Sequence, residues 1–401
     1  MKIIKLLPCA ALLAACSQSG NSPAIPRTAA LVRADSASRS QPAAGGSFKL
    51  LYRWTGGPNG GGPFADLISL NGALFGTTYA GWSAQYYGTV FKVTTSGDET
   101  VLYRFTGGKD GVRPFGGLTY LKGKFYGTTQ QGGEHNCGIV FTITPSGTEH
   151  TLYSFKCAKA DGSYPRASLV SLNGTLYGTT YQGGVDNLGA VFSITPSGTE
   201  KVLHSFRGGQ DGEKPFARMI ELNGALYGTA SAGGGGAGGG TVFKITPAGA
   251  ESVIHRFAGG ADGAEPQARL LAVRGTLYGT TRKGGTSNKG TVFAISPAGQ
   301  EKVLFSFNGT DGAAPDSGLV FANGVLFGTT AFGGPGNYGL VYKMTTAGTQ
   351  SVLYAFKGEL QGFGPVAGLT VVNGVLYGNT TWGGEKEDDY SCCGIVYAVS
   401  P

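Results

Sequence analysis

A nine-residue phrase, "LNGTLYGTT" at residues 172–180, is written seven times along this chain with small changes. Its Tyr/Phe-Gly step falls at Phe75, Tyr126, Tyr177, Tyr227, Tyr278, Phe327 and Tyr377, always 49–51 residues apart. A fixed period of that length marks a repeat architecture, in which each unit buries its apolar faces against its neighbours. Each unit holds four short strand-like runs; in the third copy they are "ASLVSL", "TLYGTT", "AVFSITP" and "KVLHSF". Asn173-Gly174 joins the first two and suits a two-residue hairpin turn, which needs positive φ at both positions. Ser197-Gly198 joins the last two. Four antiparallel strands per unit, repeated seven times, is the pattern of a β-propeller. Composition agrees: with only 14% charged residues and ample apolar and aromatic content it argues against disorder, and 72 glycines among 401 residues point to many tight turns, as in all-β folds.

The two ends predict how the array closes. The last copy stops at "GIVYAVSP", residues 394–401, where a third strand ends. The first strand-like run, "SFKLLYRW" at residues 47–54, matches the fourth strands "VLYRF", "VLYSF" and "VLYAF". The amino-terminal strand is therefore expected to complete the last blade and close the ring, removing exposed sheet edges. The expected fold is all-β, a seven-bladed propeller over residues 47–401.

Within the phrase, Gly178 is expected to mark a close approach inside a strand near the axis, where blades converge. Thr179 and Thr180 are expected to bond backbone carbonyls. A proline (Pro63, Pro114, Pro165, Pro215, Pro266, Pro315, Pro365) precedes every innermost strand, where a missing N–H is tolerated. With these motifs in register, the pattern "GG.DG..P…L…NG.LYGTT..GG…G.VF.IT.SG.E" resembles the Gloeobacter/Verrucomicrobia tandem-repeat family. The resemblance covers residues 47–401. It implies an exported, variously anchored repeat protein and carries no established catalytic residues to transfer.

Residues 1–15, with Lys2 and Lys5 before an apolar run, read as an export signal too short to span a bilayer. They end in Leu13-Ala14-Ala15-Cys16, which resembles a bacterial lipobox and makes Cys16 the expected lipidation site. With Ser17 following, resemblance to such lipoproteins favours the outer membrane or cell surface. Residues 16–46 join the anchor to the body as a tether rich in Ser, Ala, Pro and Gly. The formal charge of +7 falls to about +5 without Lys2 and Lys5. Its lysines and arginines form no run interleaved with aromatics, so no nucleic-acid partner is expected. The protein is expected to be a monomer.

Candidate chemistry is thin. Asp110, Asp161, Asp211, Asp262 and Asp311 each sit in a "DGxxP" connector, one carboxylate per loop, too few for calcium and suited to bonding their own turn. His204 and His255 stand where other copies have Tyr103, Tyr153, Phe305 and Tyr354, so both read as packing residues. His135 and His150 are isolated. No zinc spacing, nucleophile elbow or P-loop is present, so neither metal nor cofactor is expected. Cys137 precedes a third strand and Cys157 ends the fourth strand of the same hairpin, mirrored about Gly147, and a disulfide between them is expected in an exported protein. Cys392-Cys393 has three readings: a vicinal disulfide, reduced thiols or a weak metal site.

Strand direction places the connectors and the second-to-third-strand loops on one face, where length and sequence vary and binding residues collect. In the closed ring, copies six, seven and one adjoin there and bring Phe332, Tyr338, Trp382, Tyr390, Tyr79, Trp82, Tyr86 and Tyr87 together. These aromatics either pack on each other or bind sugar rings or protein loops. The leading expectation is a lipid-anchored binding or scaffolding module for a glycan or an envelope protein. The alternative is a carbohydrate-active enzyme, a glycoside hydrolase or polysaccharide lyase. Its paired carboxylates would come from Glu385, Glu387, Asp388 and Asp389.

Overall fold

The computed structural model describes residues 45–81, 86–235, 238–384 and 393–401. Seven antiparallel sheets follow one another around a ring. Blade one is typical: inner strand Ile68–Leu70, then Ala73–Thr78, Thr89–Thr94 and outer strand Glu99–Arg104. The seventh has Thr370–Val372, Val375–Thr380 and Ile395–Ser400, and Ser47–Arg53 takes the outer place. That last pairing is antiparallel, from Ser47 opposite Ser400 to Arg53 opposite Ile395. The ring is closed as the two ends predict.

The turns have the expected chemistry. Asn173 and Gly174 both take positive φ, 51° and 79°, and the other six inner hairpins do likewise. Among the described residues the helical structure is two single 3₁₀ turns, Gly260–Asp262 and Glu359–Gln361.

The glycine of the phrase has a different cause from the one expected. A Cβ on Gly178 would sit 2.6 Å from the Phe192 ring and 2.7 Å from Leu169. Phe192 is its direct cross-strand partner, so the crowding comes from a ring laid across the strand, not from backbones meeting at the axis. Each proline precedes its inner strand as expected, and in the third and fourth blades it also ends a short strand of its own. Pro165 ends a short upper strand, Gly162–Pro165, and the inner strand proper resumes at Val170. The proline thus stands where the inner strand breaks in two, still without an N–H to leave unpaired.

Packing repeats between blades. The aromatic residue just beyond each outer strand meets an aromatic of the next third strand edge-on, as Phe105 meets Phe141 and Phe155 meets Phe192, both at 5.2 Å. Trp54, beyond the amino-terminal strand, meets Phe91 in the same way at 4.5 Å, so the closing strand makes a full inter-blade joint. The first threonine of each phrase reaches the following blade. Thr77 Oγ1 donates to Gly116 O at 3.0 Å and Thr128 Oγ1 to Ala167 O at 3.1 Å. At the ring's seam Asn379 Nδ2 donates to Ala65 O at 3.1 Å. Thr179 Oγ1 is the exception, buried without a partner among the described residues.

Cys137 and Cys157 are joined by a disulfide with their Cα atoms 5.7 Å apart. The hairpin does not mirror about Gly147. Ile143 faces Glu149, and a bulge at Val140/Phe141 shifts the ladder by one. The bridge forms beyond the ladder's end, where Cys157 takes φ 55°. Cys393 is also disulfide-bonded, and Cys392 lies outside the described residues. No helix among the described residues is long and apolar enough to cross a membrane. Cys16 and the segments 1–15 and 16–44 lie outside the described residues.

Candidate functional site: an axial cavity with an aromatic collar

The connector after each outer strand pairs with the second-to-third-strand loop of its blade, as Gly61 pairs with Ala80 and Phe363 with Trp382. Past each proline the chain runs down the axis, and alternate residues point inward. The first inward layer is Phe64, Phe115, Arg166, Phe216, Gln267, Asp316 and Val366; two residues further lie Asp66, Ser168, Arg218 and Arg269. Together they line a cavity of about 250 Å³ at the connector end of the inner strands.

Aromatic rings form a collar around its mouth. Phe64 stacks on Phe115 at 4.8 Å, and Phe115 meets Phe216 edge-on at 5.4 Å. Phe64 also touches Tyr79 at 5.3 Å and Trp382 at 6.4 Å, both edge-on. Arg166 lies 3.8 Å over the Tyr181 ring. With the Gln130 amide turned so that its oxygen faces Arg166, Nε and Nη2 donate to it at 3.1 and 3.0 Å. Below the collar, Asp66 of blade one meets Arg269 of blade five across the axis, with Nε donating to Oδ2 at 2.7 Å. The Gly368 N–H donates to the other Asp66 oxygen at 2.5 Å. Asp316 accepts from Arg282 Nη1 at 2.7 Å. Burial pushes the Asp316 carboxyl up, against Arg282.

The expected rim residues separate. Tyr79 and Trp382 reach the collar but are only 7% exposed, acting as its backing. Trp382 stacks on Phe363 at 5.8 Å, and Tyr338 tilts against the same ring at 5.9 Å. Phe332 is half-buried beside Ala313. Tyr86 and Tyr87 line a separate cavity of about 240 Å³ with Pro58 and Arg104. Trp82, Tyr390, Glu385, Glu387, Asp388 and Asp389 lie outside the described residues. Phe64, Phe115, Phe216, Arg166, Arg218 and Arg269 are not among the residues the sequence motifs single out. Their signal is present in the aligned copies, because the first and third positions after the proline vary while the phrase around them repeats.

A second constellation joins neighbouring blades near their outer edge. Tyr103 Oη donates to Asp110 at 3.0 Å, and Glu149 of the next outer strand lies beside them. Tyr153 and Asp161 repeat the bond at 3.0 Å, with Glu200 alongside. The aspartates also hold their own turns: the Thr106, Lys156, Arg207, Ala258 and Asn308 N–H groups donate to them at 2.6–2.8 Å. His204 and His255 replace the tyrosine. His204 Nε2 lies 3.2 Å from both Asp211 oxygens, and both rings still pack edge-on against Phe206 and Phe257. His204, Asp211 and Glu251 place one ligating atom each within 4.8 Å, as do His255, Asp262 and Glu301, a donor set able to hold a divalent cation. The tyrosine copies make the same joint without a ligating nitrogen, so its first role is structural. Burial, then the adjacent aspartate, pushes Glu149, Glu200 and Glu301 up to about 7, and burial does the same to Glu251.

The sequence matches the Gloeobacter/Verrucomicrobia repeat over residues 38–239 and 188–391. A virginiamycin B lyase from Staphylococcus aureus is similar in structure, with TM-score 0.58 at 11% identity over 89% of this chain and 99% of that one. A quinohemoprotein alcohol dehydrogenase from Comamonas testosteroni gives 0.53 at 12% identity, over 88% of this chain and 76% of that one. At such identities the likeness shows the propeller fold alone. No curated protein matches the chain. Repeat spacing, blade count and the matched residues agree: the chain belongs to the Gloeobacter/Verrucomicrobia repeat family.

Proposed function

We propose that this protein is a binding module of the cell envelope, held by lipid on Cys16 and offering the connector face of its propeller to a glycan. The observation that carries this reading is the cavity of about 250 Å³ ringed by Phe64, Phe115 and Phe216, with Ser168 and Gln267 among its polar groups. Partly buried rings give flat apolar contact for a sugar face, and the amide and hydroxyl meet its hydroxyl groups. Acyl chains, at about 0.8 kcal/mol per buried methylene, would keep the module at a membrane surface while residues 17–46 let it reach outward.

A glycan array probed with the full-length protein in detergent micelles tests the proposal. Binding is expected, and Phe115→Ala and Phe216→Ala are each expected to weaken it about tenfold, judged by what aromatic anchors contribute in recognition sites. Capture of an envelope protein with no glycan bound would replace this reading with a scaffolding one. Release of reducing ends or unsaturated sugars from a bound polysaccharide would move it to a carbohydrate-active enzyme.

A further inference from the structure

The wall of the axial cavity holds a guanidinium with an unmet donor. Its charged neighbours each have a partner, although Asp316 keeps one buried oxygen, Oδ1, without one among the described residues. Arg269 is bonded to Asp66, whose second oxygen takes the Gly368 N–H, and Asp316 is bonded to Arg282. Arg166 is held by Gln130 and Tyr181. Arg218 Nε, by contrast, is buried with no hydrogen-bond partner among the described residues. Burial, with Arg269 beside it, pushes the Arg218 guanidinium down to about 10, and Asp66 opposes this only in part. A buried donor left unmet is unfavourable, so the position gains when a ligand supplies an acceptor.

The lining tells what kind of acceptor. Asp66 is taken by Arg269 and Asp316 by Arg282, so neither carboxylate offsets Arg218, and the wall keeps positive charge for an anion, with one unmet N–H to meet a carboxylate oxygen. At about 250 Å³ the cavity falls below the roughly 300–1,000 Å³ of sites for larger organic ligands, so it admits an end group of about one ring. We infer that the axial cavity takes the carboxylate of a uronic acid at the end or branch of an acidic glycan, with Arg218 gripping the carboxylate and the phenylalanine collar covering the ring. The inference rests on the glycan-binding reading above and adds its charge.

The test uses full-length protein in micelles, titrated by calorimetry and ligand-observed NMR. The ligands are a glucuronate-terminated disaccharide, the methyl ester of that disaccharide, its glucose-terminated analogue and inorganic phosphate. The acid is expected to bind at least about tenfold more tightly than ester or analogue, and phosphate not to compete. Arg218→Met is expected to lose at least about tenfold of the acid's affinity without melting lower, and Arg218→Lys to retain part of it. Equal binding of acid and ester by the native protein overturns the inference whatever the variants do, as does Arg218→Met binding the acid unchanged. Neutral glycans binding on the array while the acid gains nothing would leave the glycan reading standing and remove this one; no binding in any arm removes both.

Discussion

Gly178 shows how one residue is chosen by its cross-strand partner. Its φ is ordinary, and the constraint is the Phe192 ring lying where a Cβ would stand, 2.6 Å away. Gly174, in the turn, is the opposite case: a Cβ would meet nothing nearer than Lys122 Nζ at 3.7 Å, but φ is 79°. Gly178→Ala is therefore expected to lose about 1–3 kcal/mol through overpacking. Gly174→Ala should lose about 1 kcal/mol through backbone strain alone. Urea denaturation of each variant measures both, and a larger loss for Gly174→Ala than for Gly178→Ala would reject the distinction. Arg218 is expected to behave in reverse. Replacing its unmet donor with the apolar stem of methionine should leave the melting temperature unchanged or raise it, by the equivalent of about 1 kcal/mol.

At the scale of strands and connectors, the blade joints give the protein a pH response. Glu149, Glu200, Glu251 and Glu301 are held near 7 in the fold against an ordinary 4.5. Such a carboxyl binds its proton more readily when folded, so its stabilising contribution is complete below about 4.5 and is lost as pH rises through about 7. His255, pushed down by burial from 6.5, works in the opposite direction, its contribution being lost as pH falls. Asp211 does likewise at lower pH: burial raises it, but the bonds from His204 and the Arg207 N–H outweigh that and hold it below 3.8. Four carboxyls outweigh one imidazole near neutrality, and thermal melts are expected to fall between about pH 5 and pH 8. Replacing the four glutamates by glutamine, which copy six already has at Gln350, should flatten that slope, at roughly 1 kcal/mol or less per site after solvent screening. An unchanged slope would reject the assignment. The Cys137–Cys157 bridge spans 20 residues, and its removal by paired serine substitution is expected to lower stability by about 3 kcal/mol. Melts with and without reductant measure it, and the serine variant should be insensitive to reductant at this site.

The molecule as a whole depends on the strand Ser47–Arg53, which pairs with the carboxy-terminal strand more than 340 residues away. Phe48 stacks on Tyr354 at 4.4 Å, and Leu50 and Tyr52 pack into the same two inter-blade wedges. Deleting residues 47–53 removes four packed side chains, Phe48, Leu50, Leu51 and Tyr52, worth about 1.5 kcal/mol each, and opens a sheet edge. Such a chain is expected to aggregate or to melt with a loss of about 5 kcal/mol or more. Size exclusion and calorimetry check this, and a monomer of native stability would refute the closure argument. Much of this scale was legible beforehand. The period counts the blades, and the odd strand at one end matches the gap at the other. The site was less legible. For Tyr79 and Trp382 the sequence leaves packing and binding both open, and the loops bearing them pair with the connectors and set both rings edge-on against Phe64.

What the residues decide alone is whatever depends on neighbours in the chain or on repetition: the Asn-Gly turns, the four-strand unit, the aspartate-held connectors, the seven copies. Only the tertiary structure decides which side chains meet across the axis. Asp66 and Arg269 lie 203 residues apart and belong to different copies, and nothing local relates them. They meet because closing seven blades brings every inner strand to one line. There, small differences between copies add up to a cavity with a collar of rings and one guanidinium donor unmet.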